Sequence, residues 1–255
     1  MIVHRLEVVD STNLRLTEMA REGAPPWTVV LANAQTGGMG RTGRSWWSPP
    51  GGLYMSVLIR HEDGIRNPSR LSLLAALALR DAVGEARASI RLKWPNDLLV
   101  DGKKLAGILI TSAGRGGKVP WAVAGFGVNV KRSNQPEVPA ELSGKIACLQ
   151  DIAPDLSGLD LAENIVRELR GLQVCLHDDG QWAQALKRWS RFADWDAPYR
   201  FREGNRDVLG TPVRLSADGG LVLRTGMGEV TVRSGEITEA VQSPESRIRC
   251  LTSNS

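Results

Sequence analysis

Apolar residues recur along the chain with two different spacings, and together these spacings predict a mixed α/β protein. Short runs rich in β-branched residues at 3–9, 27–33 and 52–60 predict strands, as do the runs at 90–94, 98–101, 105–111 and 121–130. Apolar residues three and four positions apart predict helices at 13–21, 71–86, 161–176 and 182–192. Strands and helices are therefore mixed along most of the chain.

The pattern changes near residue 197, and the change predicts a second domain. Short β-type runs at 211–215, 221–224, 229–232 and 236–241 alternate there with turn sequences such as DGG and TGMG. We predict an α/β (α+β) protein whose mixed β-sheet domain at 1–195 is flanked by helices. A small β-barrel or β-roll at 196–242 and a disordered tail at 243–255 follow.

Composition narrows the class of protein. The chain has 255 residues, of which 42% are hydrophobic and 24% charged, and its formal net charge is +4. That excess is too small for a protein that coats nucleic acid, but it suits a polyanionic small molecule or an acidic partner. Three separated cysteines predict neither a disulfide framework nor a zinc site. With no signal peptide and no run of about 20 apolar residues, we expect a cytoplasmic protein.

The segment QTGGMGRTGRSW at 35–46 is the most informative stretch for function. Its glycines allow the backbone to approach a ligand closely, and Arg41 and Arg44 carry planar charged groups that match phosphate and carboxylate. The spacing differs from that of a P-loop. The segment therefore predicts a mobile loop that closes over an anion.

Three further polar segments lie where packing alone does not require them: DSTN at 10–13, KWPND at 93–97 and KKLAGILI at 103–110. The first is explained in part as a helix cap, but its adjacent hydrogen-bonding groups could also bind an amide-like or ureido-like group. In the second, Pro95 places Asn96 and Asp97 on a predicted turn. In the third, Lys104 begins a buried strand that holds its ammonium group rigidly. Glycines inside strands mark the close approach of a ligand or another backbone, and they occur at Gly107, Gly125 and Gly127.

The sequence offers no enzyme nucleophile. His4, His61 and His177 are isolated, and there is neither a catalytic triad nor a metal-binding motif such as HExxH. Chemistry in which the substrates supply the nucleophiles, while the protein supplies cations and orientation, fits this absence. Nucleotidyl and phosphoryl transfer are reactions of that kind.

Taken in order, these segments resemble the biotin protein ligase family, of the type without an N-terminal DNA-binding domain. The matching segments are DSTN (10–13), QTGGMGRTGRSW (35–46), KWPNDLL (93–99), KKLAGILI (103–110) and GFGVNV (125–130). The resemblance implies a C-terminal SH3-like barrel. It also implies that biotin is activated with ATP and Mg²⁺ to biotinyl-5′-AMP and then transferred to a lysine of a biotin carboxyl carrier domain.

The resemblance also implies roles for individual residues. Lys104, Arg41, Arg44, Asp97 and Asn96 are expected to act in catalysis, with Asp97 near the metal or the incoming lysine. The residues expected to contact biotin are Ser11, Thr12, Asn13, Gln35, Met39, Gly40, Arg41, Lys104, Gly107 and Gly125. The residues expected to contact the nucleotide are Arg41, Arg44, Trp46, Lys104 and Asn129.

Two features depart from the family pattern. Met39 stands where the family commonly has arginine, and the loss of that cation is expected to weaken phosphate binding by about 1–3 kcal/mol. The first motif begins at Asp10, which leaves no room for a winged helix, so we expect neither repression nor DNA binding. A lipoate-type ligase, a non-catalytic biotin or adenylate binder, a nucleic-acid binder and a homodimer remain open.

Overall fold

A seven-stranded mixed β-sheet forms the centre of the first of two units in the computed structural model. Its strands are β1 (Ile2–Val9), β2 (Thr28–Gln35), β3 (Leu53–Ile65), β4 (Ile90–Lys93), β5 (Asp97–Val100), β6 (Lys103–Ser112) and β7 (Val119–Val128). Their spatial order is β1-β2-β3-β7-β6-β5-β4. Strands β1 and β2 are parallel, and the other neighbouring pairs are antiparallel. A parallel pair needs a crossover, which the helix between β1 and β2 provides.

The structure describes residues 1–84, 89–114, 118–131, 138–195, 198–203, 206–233 and 236–240. Contacts divide the chain into two compact units, Met1–Ala185 and Leu186–Ser255. The predicted boundary after residue 195 therefore stays a proposal, because the division by contacts falls earlier. No helix in the described ranges is long and apolar enough to cross a lipid bilayer.

The described residues contain four α-helices: α1 (Thr12–Arg21), α2 (Leu71–Val83), α3 (Gly158–Leu172) and α4 (Asp179–Phe192). Helix α1 buries Leu16 and Ala20 against Val30 of β2 and Leu58 of β3. This packing fixes the start of α1 next to the sheet, where the DSTN segment lies. Helix α2 is buried along nearly its whole length, as its Leu/Ala composition predicts.

The second unit contains the strands β8 (Tyr199–Glu203), β9 (Arg206–Leu215), β10 (Leu221–Thr225), β11 (Gly228–Val232) and β12 (Glu236–Ala240). They form an antiparallel sheet in the order β11-β10-β9-β8-β12. The prediction of a mixed sheet with helices, followed by a small antiparallel β unit, is confirmed. The predicted disordered tail at 243–255 lies outside the described residues.

The sequence predictions were wrong at several element ends. Asp97 does not lie on the turn with Asn96, because it begins β5 and pairs with both Lys93 and Gly107. Helix α2 ends at Val83, before the predicted residue 86, where Gly84 adopts a left-handed φ of 102°. Strand β8 was not predicted. Helix α3 ends at Leu172, and the predicted continuation is a short 3₁₀ turn, Gln173–Leu176.

Candidate active site

The N-terminus of α1 brings a group of buried polar side chains to the sheet. Ser11 is the N-cap, and its hydroxyl accepts a hydrogen bond of 3.5 Å from the amide of Leu14. Ser11, Thr12 and Asn13 are all buried. The cap uses only Ser11, so the helix end does not explain why Thr12 and Asn13 are polar.

Gln35, the last residue of β2, joins Thr12 to the rest of this group. Its Oε1 accepts from the backbone amide of Thr12 at 2.9 Å and from the Thr12 hydroxyl at 3.2 Å. The Thr12 hydroxyl in turn accepts from Ser56, which is completely buried on β3. The parallel register of β1 and β2 pairs Val9 with Gln35, and this pairing sets the amide beside the helix start.

The glycine–arginine segment folds as a small hairpin at the end of β2. Met39 and Ser45 pair across it, and the amide of Trp46 donates to the carbonyl of Gly38 at 2.8 Å. Thr42 (φ 53°) and Gly43 (φ 79°) are both left-handed between Arg41 and Arg44, as in a type I′ hairpin turn. The predicted loop is thus built as a hairpin, and its mobility stays a prediction.

Lys104 of β6 and Asp97 of β5 form an ion pair near the β4 edge of the first unit's sheet. The Lys104 Nζ lies 2.8 Å from Asp97 Oδ2 and 5.2 Å from the centroid of the Trp46 ring. The backbone amide of Lys104 donates to the carbonyl of Lys145 at 2.8 Å. Both the start of β6 and the hairpin therefore hold this ammonium group in place.

Three strand glycines leave room for side chains from the hairpin and from α1, and we call the surface formed by Gly107, Gly125 and Gly127 the glycine seat. A Cβ atom on Gly127 would lie 2.5 Å from Trp46, and one on Gly107 would lie 3.0 Å from the same ring. A Cβ atom on Gly125 would lie 2.5 Å from Asn13 Nδ2. All three glycines are closely approached, but by protein side chains rather than by the ligand or second backbone that the sequence predicted.

Asn96 and Asn129 tie the neighbouring elements together. Asn96 Oδ1 accepts from Arg41 at 3.3 Å, while Asn96 Nδ2 donates to the carbonyl of Ile108 at 2.8 Å. Asn129 Nδ2 donates to the carbonyl of Lys104 at 3.0 Å. The hairpin arginine is thereby connected to the Pro95 turn, and the end of β7 is connected to Lys104.

Three polar atoms of these residues are buried without a hydrogen-bond partner among the described residues. They are Asn13 Oδ1, Trp46 Nε1 and Asp97 Oδ1. A buried polar atom without a partner costs free energy, so such atoms concentrate where a ligand completes the bonding. Two acceptors and one donor lie beside the glycine seat, which indicates a polar ligand.

A cleft of about 370 Å³ lies around Asn129. Lys103 and Lys131 contribute cations to it, and Tyr54 closes one side with its hydroxyl donating to the carbonyl of Pro49. Burial raises the pKa of Tyr54, so this phenol stays neutral. Apolar lining comes from Pro49, Pro50, Val138, Leu142 and Ile146. A cleft with apolar walls and two cations can accept a flat ring that carries anionic groups.

The sequence predictions for the site have a mixed outcome. Most of the predicted residues meet in two linked groups, one around Thr12 and Gln35 and the other around Lys104 and Trp46. Arg44 is exposed on the hairpin, and the Met39 side chain is 37% exposed. Ser48 and Ser56, which bond to Gln35 and Thr12, were missed because isolated serines have no diagnostic spacing. Among the described residues no group of three or more His, Cys, Asp or Glu could hold a metal ion.

Residues 6–129 match the Biotin/lipoate A/B protein ligase family. The chain is 42% identical to the biotin–[acetyl-CoA-carboxylase] ligase of Paracoccus denitrificans, over 89% of this chain and 96% of that protein. It is 32% identical to the bifunctional ligase/repressor BirA of Escherichia coli, over 91% and 74% of the two chains. The structure of a biotin protein ligase from Aquifex aeolicus in complex with biotin and ATP is similar with a TM-score of 0.74 and 26% identity, covering 94% of this chain and 99% of that one.

Proposed function

The chain belongs to the biotin/lipoate A/B protein ligase family, and we propose that it is a biotin protein ligase that attaches biotin to a carrier domain. In the first step the biotin carboxylate attacks the α-phosphorus of ATP, the bond to the β-phosphate oxygen breaks, and pyrophosphate leaves. In the second step a carrier lysine attacks the acyl carbon of biotinyl-5′-AMP, and AMP and a proton leave. The substrates supply both nucleophiles, so the protein contributes charge and orientation.

The Lys104–Asp97 pair beside the glycine seat is the observation that carries this proposal. The first step brings two anions together, and a fixed cation between them lowers their repulsion. Lys104 is the second residue of β6, pairs with Asp97 and lies over the Trp46 ring, so its position is set before a ligand binds. We assign it to the junction between the biotin carboxylate and the α-phosphate.

The polar group at the start of α1 supports biotin as the acid. Biotin carries a ureido head with one acceptor and two donors, and Ser11, Thr12, Asn13 and Gln35 offer complementary hydrogen-bonding groups in a buried setting. The dithiolane ring of lipoate has no such groups. A lipoate molecule here would leave the polar side chains unpaired, and such mismatches are strongly rejected.

The hairpin and the cleft support a nucleotide site. Arg41 and Arg44 supply cations, Trp46 supplies a ring face, and Asn129 lines the cleft. The A. aeolicus ligase binds ATP together with biotin. We extend the nucleotide site into the cleft, whose apolar walls fit a base and whose Lys103 and Lys131 fit phosphates.

Asp97 is the residue that would hold a magnesium ion bound to the triphosphate. Its Oδ2 is paired with Lys104, but its Oδ1 is buried and without a partner among the described residues. Mg²⁺ on nucleotides is commonly held by one or two carboxylates, with phosphates and water as the other ligands. When bound, the ion would neutralise phosphate charge. One carboxylate oxygen is the protein's contribution to that site, and the incoming carrier amine is the alternative partner that we propose for the same oxygen.

Acid-dependent pyrophosphate release tests the proposed function. The protein is incubated with ATP and Mg²⁺ and with biotin, lipoate or no acid at equal concentrations. We expect release with biotin at least about a hundredfold faster than with lipoate, because only biotin pairs the buried polar groups. Release of pyrophosphate with lipoate but not with biotin would overturn the proposal. Binding of biotin without any release would favour a non-catalytic binder in which Met39 has weakened phosphate binding.

The second substrate in this proposal is a biotin carboxyl carrier domain of acetyl-CoA carboxylase or a related carboxylase. The P. denitrificans relative is named for that carboxylase. Because ATP and the carboxylases that carry biotin are found together in the cytoplasm, we propose that compartment for this protein.

A further inference from the structure

Ser48 connects the hairpin to the polar group at the start of α1. It lies two residues after Trp46 and is buried. Its Oγ accepts from Gln35 Nε2 at 2.9 Å and lies 3.0 Å from the carbonyl of Trp46. Ser48 thus touches both the side chain that reaches Thr12 and the backbone that ends the hairpin.

The direction of these hydrogen bonds is fixed by the donors. The backbone amide of Thr12 can only donate, so the Gln35 atom facing it is Oε1, and the Gln35 amide nitrogen must face Ser48. Because Ser48 accepts there, its single proton is free for the carbonyl of Trp46. The orientation of the Gln35 amide therefore depends on Ser48.

The hairpin contacts this arrangement directly. The amide of Trp46 closes the hairpin on Gly38, and a Cβ atom on Gly38 would lie 2.5 Å from both Ser48 Oγ and the Trp46 carbonyl. An unseated hairpin removes the acceptor for the Ser48 proton and frees the serine to rotate. Gln35 then loses the partner that orients its amide nitrogen.

We propose that Ser48 is a positioning residue that couples closure of the hairpin to recognition of the biotin head group. This inference rests on the proposed function, because it takes Gln35 as a contact of the ureido group. An amide nitrogen carries two hydrogens, and Ser48 takes one, which directs the second toward the ligand. Hairpin closure and biotin binding then strengthen each other, as thermodynamic linkage requires.

Equilibrium biotin binding to the full chain without ATP tests the proposal. One hydrogen bond is worth about 1 kcal/mol net, so we expect Ser48→Ala to raise the Kd for biotin about fivefold to tenfold. In a Gln35→Ala background the same substitution is expected to change the Kd less than about twofold, because its effect acts through Gln35. A merely structural role for Ser48 would weaken binding equally in both backgrounds.

Thr28→Val is the matched control. Thr28 is buried at the opposite end of β2 from Gln35, and its hydroxyl donates to the carbonyl of Pro25 at 2.7 Å. Loss of that hydroxyl is expected to lower thermal stability about as much as Ser48→Ala while leaving the Kd unchanged.

The outcomes separate this inference from the proposed function. Equal biotin affinity of Ser48→Ala and the wild type would overturn the role of Ser48 alone, as would an equal loss of affinity with and without Gln35. Wild-type protein that binds no biotin would overturn the proposed function, and the inference with it. If Ser48→Ala does not fold, Ser48→Cys takes its place in the same cycle, because a thiol is only a weak donor and acceptor. A Gln35-dependent loss of affinity would then support the role of Ser48, and unchanged affinity would overturn it.

Discussion

A methyl group on Gly127 is expected to unseat Trp46 without unfolding the sheet. The added Cβ would lie 2.5 Å from two atoms of the indole, Cε2 and Nε1. Ordinary carbon contacts are about 3.5–4.0 Å, so the ring must move by about 1.0–1.5 Å. Gly127 does not have a positive φ, so alanine fits the backbone of β7.

Displacement of the Trp46 ring should weaken the retention of the bound ligand. Overpacking a close contact typically costs about 1–3 kcal/mol, but the hairpin can shift as a piece and spare the core. Trp46 then leaves its place beside Gly107 and Lys104. We expect bound biotinyl-5′-AMP to be released about tenfold to a hundredfold faster, which corresponds to about 1.4–2.7 kcal/mol.

The assay follows the loss of radiolabelled adenylate from Gly127→Ala after it has formed from ATP and biotin, with thermal unfolding measured in parallel. Gly171→Ala is the control, because a Cβ there contacts nothing within 4 Å and lies in α3. That control should gain about 0.5–1 kcal/mol of stability and release adenylate at the wild-type rate. If Gly127→Ala released the adenylate at the wild-type rate, the contact of Trp46 with the strand glycines would not be required for holding the intermediate.

Three further predictions concern ionisable side chains. Lys104→Ala should abolish pyrophosphate release while the protein stays folded, because no other side chain is assigned to the junction of the two anions; normal turnover would show that assignment to be wrong. Arg41→Gly should let biotinyl-5′-AMP escape, so mass spectrometry of an added bystander protein should find biotin on many lysines, and labelling confined to the carrier would contradict this. Burial and the neighbouring His61, whose ring centroid lies 4.3 Å from that of His177, lower the pKa of His177. The His177 contribution to stability is therefore complete above the ordinary pKa of about 6.5 and is lost as pH falls through the lower folded value. The unfolding free energy of His177→Gln should accordingly fall less than that of the wild type between about pH 7 and pH 5, and parallel curves would refute the assignment.

The order of the elements could be predicted because hydrophobic spacing is a local property. Strand β2 was predicted at 27–33 and is found at Thr28–Gln35. Strand β8 was missed because three of its five residues are charged, although Tyr199 and Phe201 are buried on alternate positions. Asp97 was placed on a turn from local chemistry, whereas its pairing with Gly107 in a neighbouring strand makes it part of the sheet.

The site could be predicted as a set of residue types but not as a set of contacts. Strand glycines indicated a close approach, yet nothing local to Gly127 identifies Trp46 as the group that approaches. Lys104 was selected for its rigid position, while its partner Asp97 follows from the bulged register of β5 and β6. The link through Ser48 depends on the hairpin fold, and a serine in that position has no signature of its own.

Transfer of biotin to a carrier is the most direct test of the account. The protein is mixed with ATP, Mg²⁺, biotin and a biotin carboxyl carrier domain, and the carrier is examined by intact mass and peptide mapping. We expect one biotinyl group on one lysine, dependent on both ATP and biotin and absent with Lys104→Ala. A carrier that stays unmodified while the folded protein binds biotin, or one that is modified by lipoate instead, would contradict the central claim.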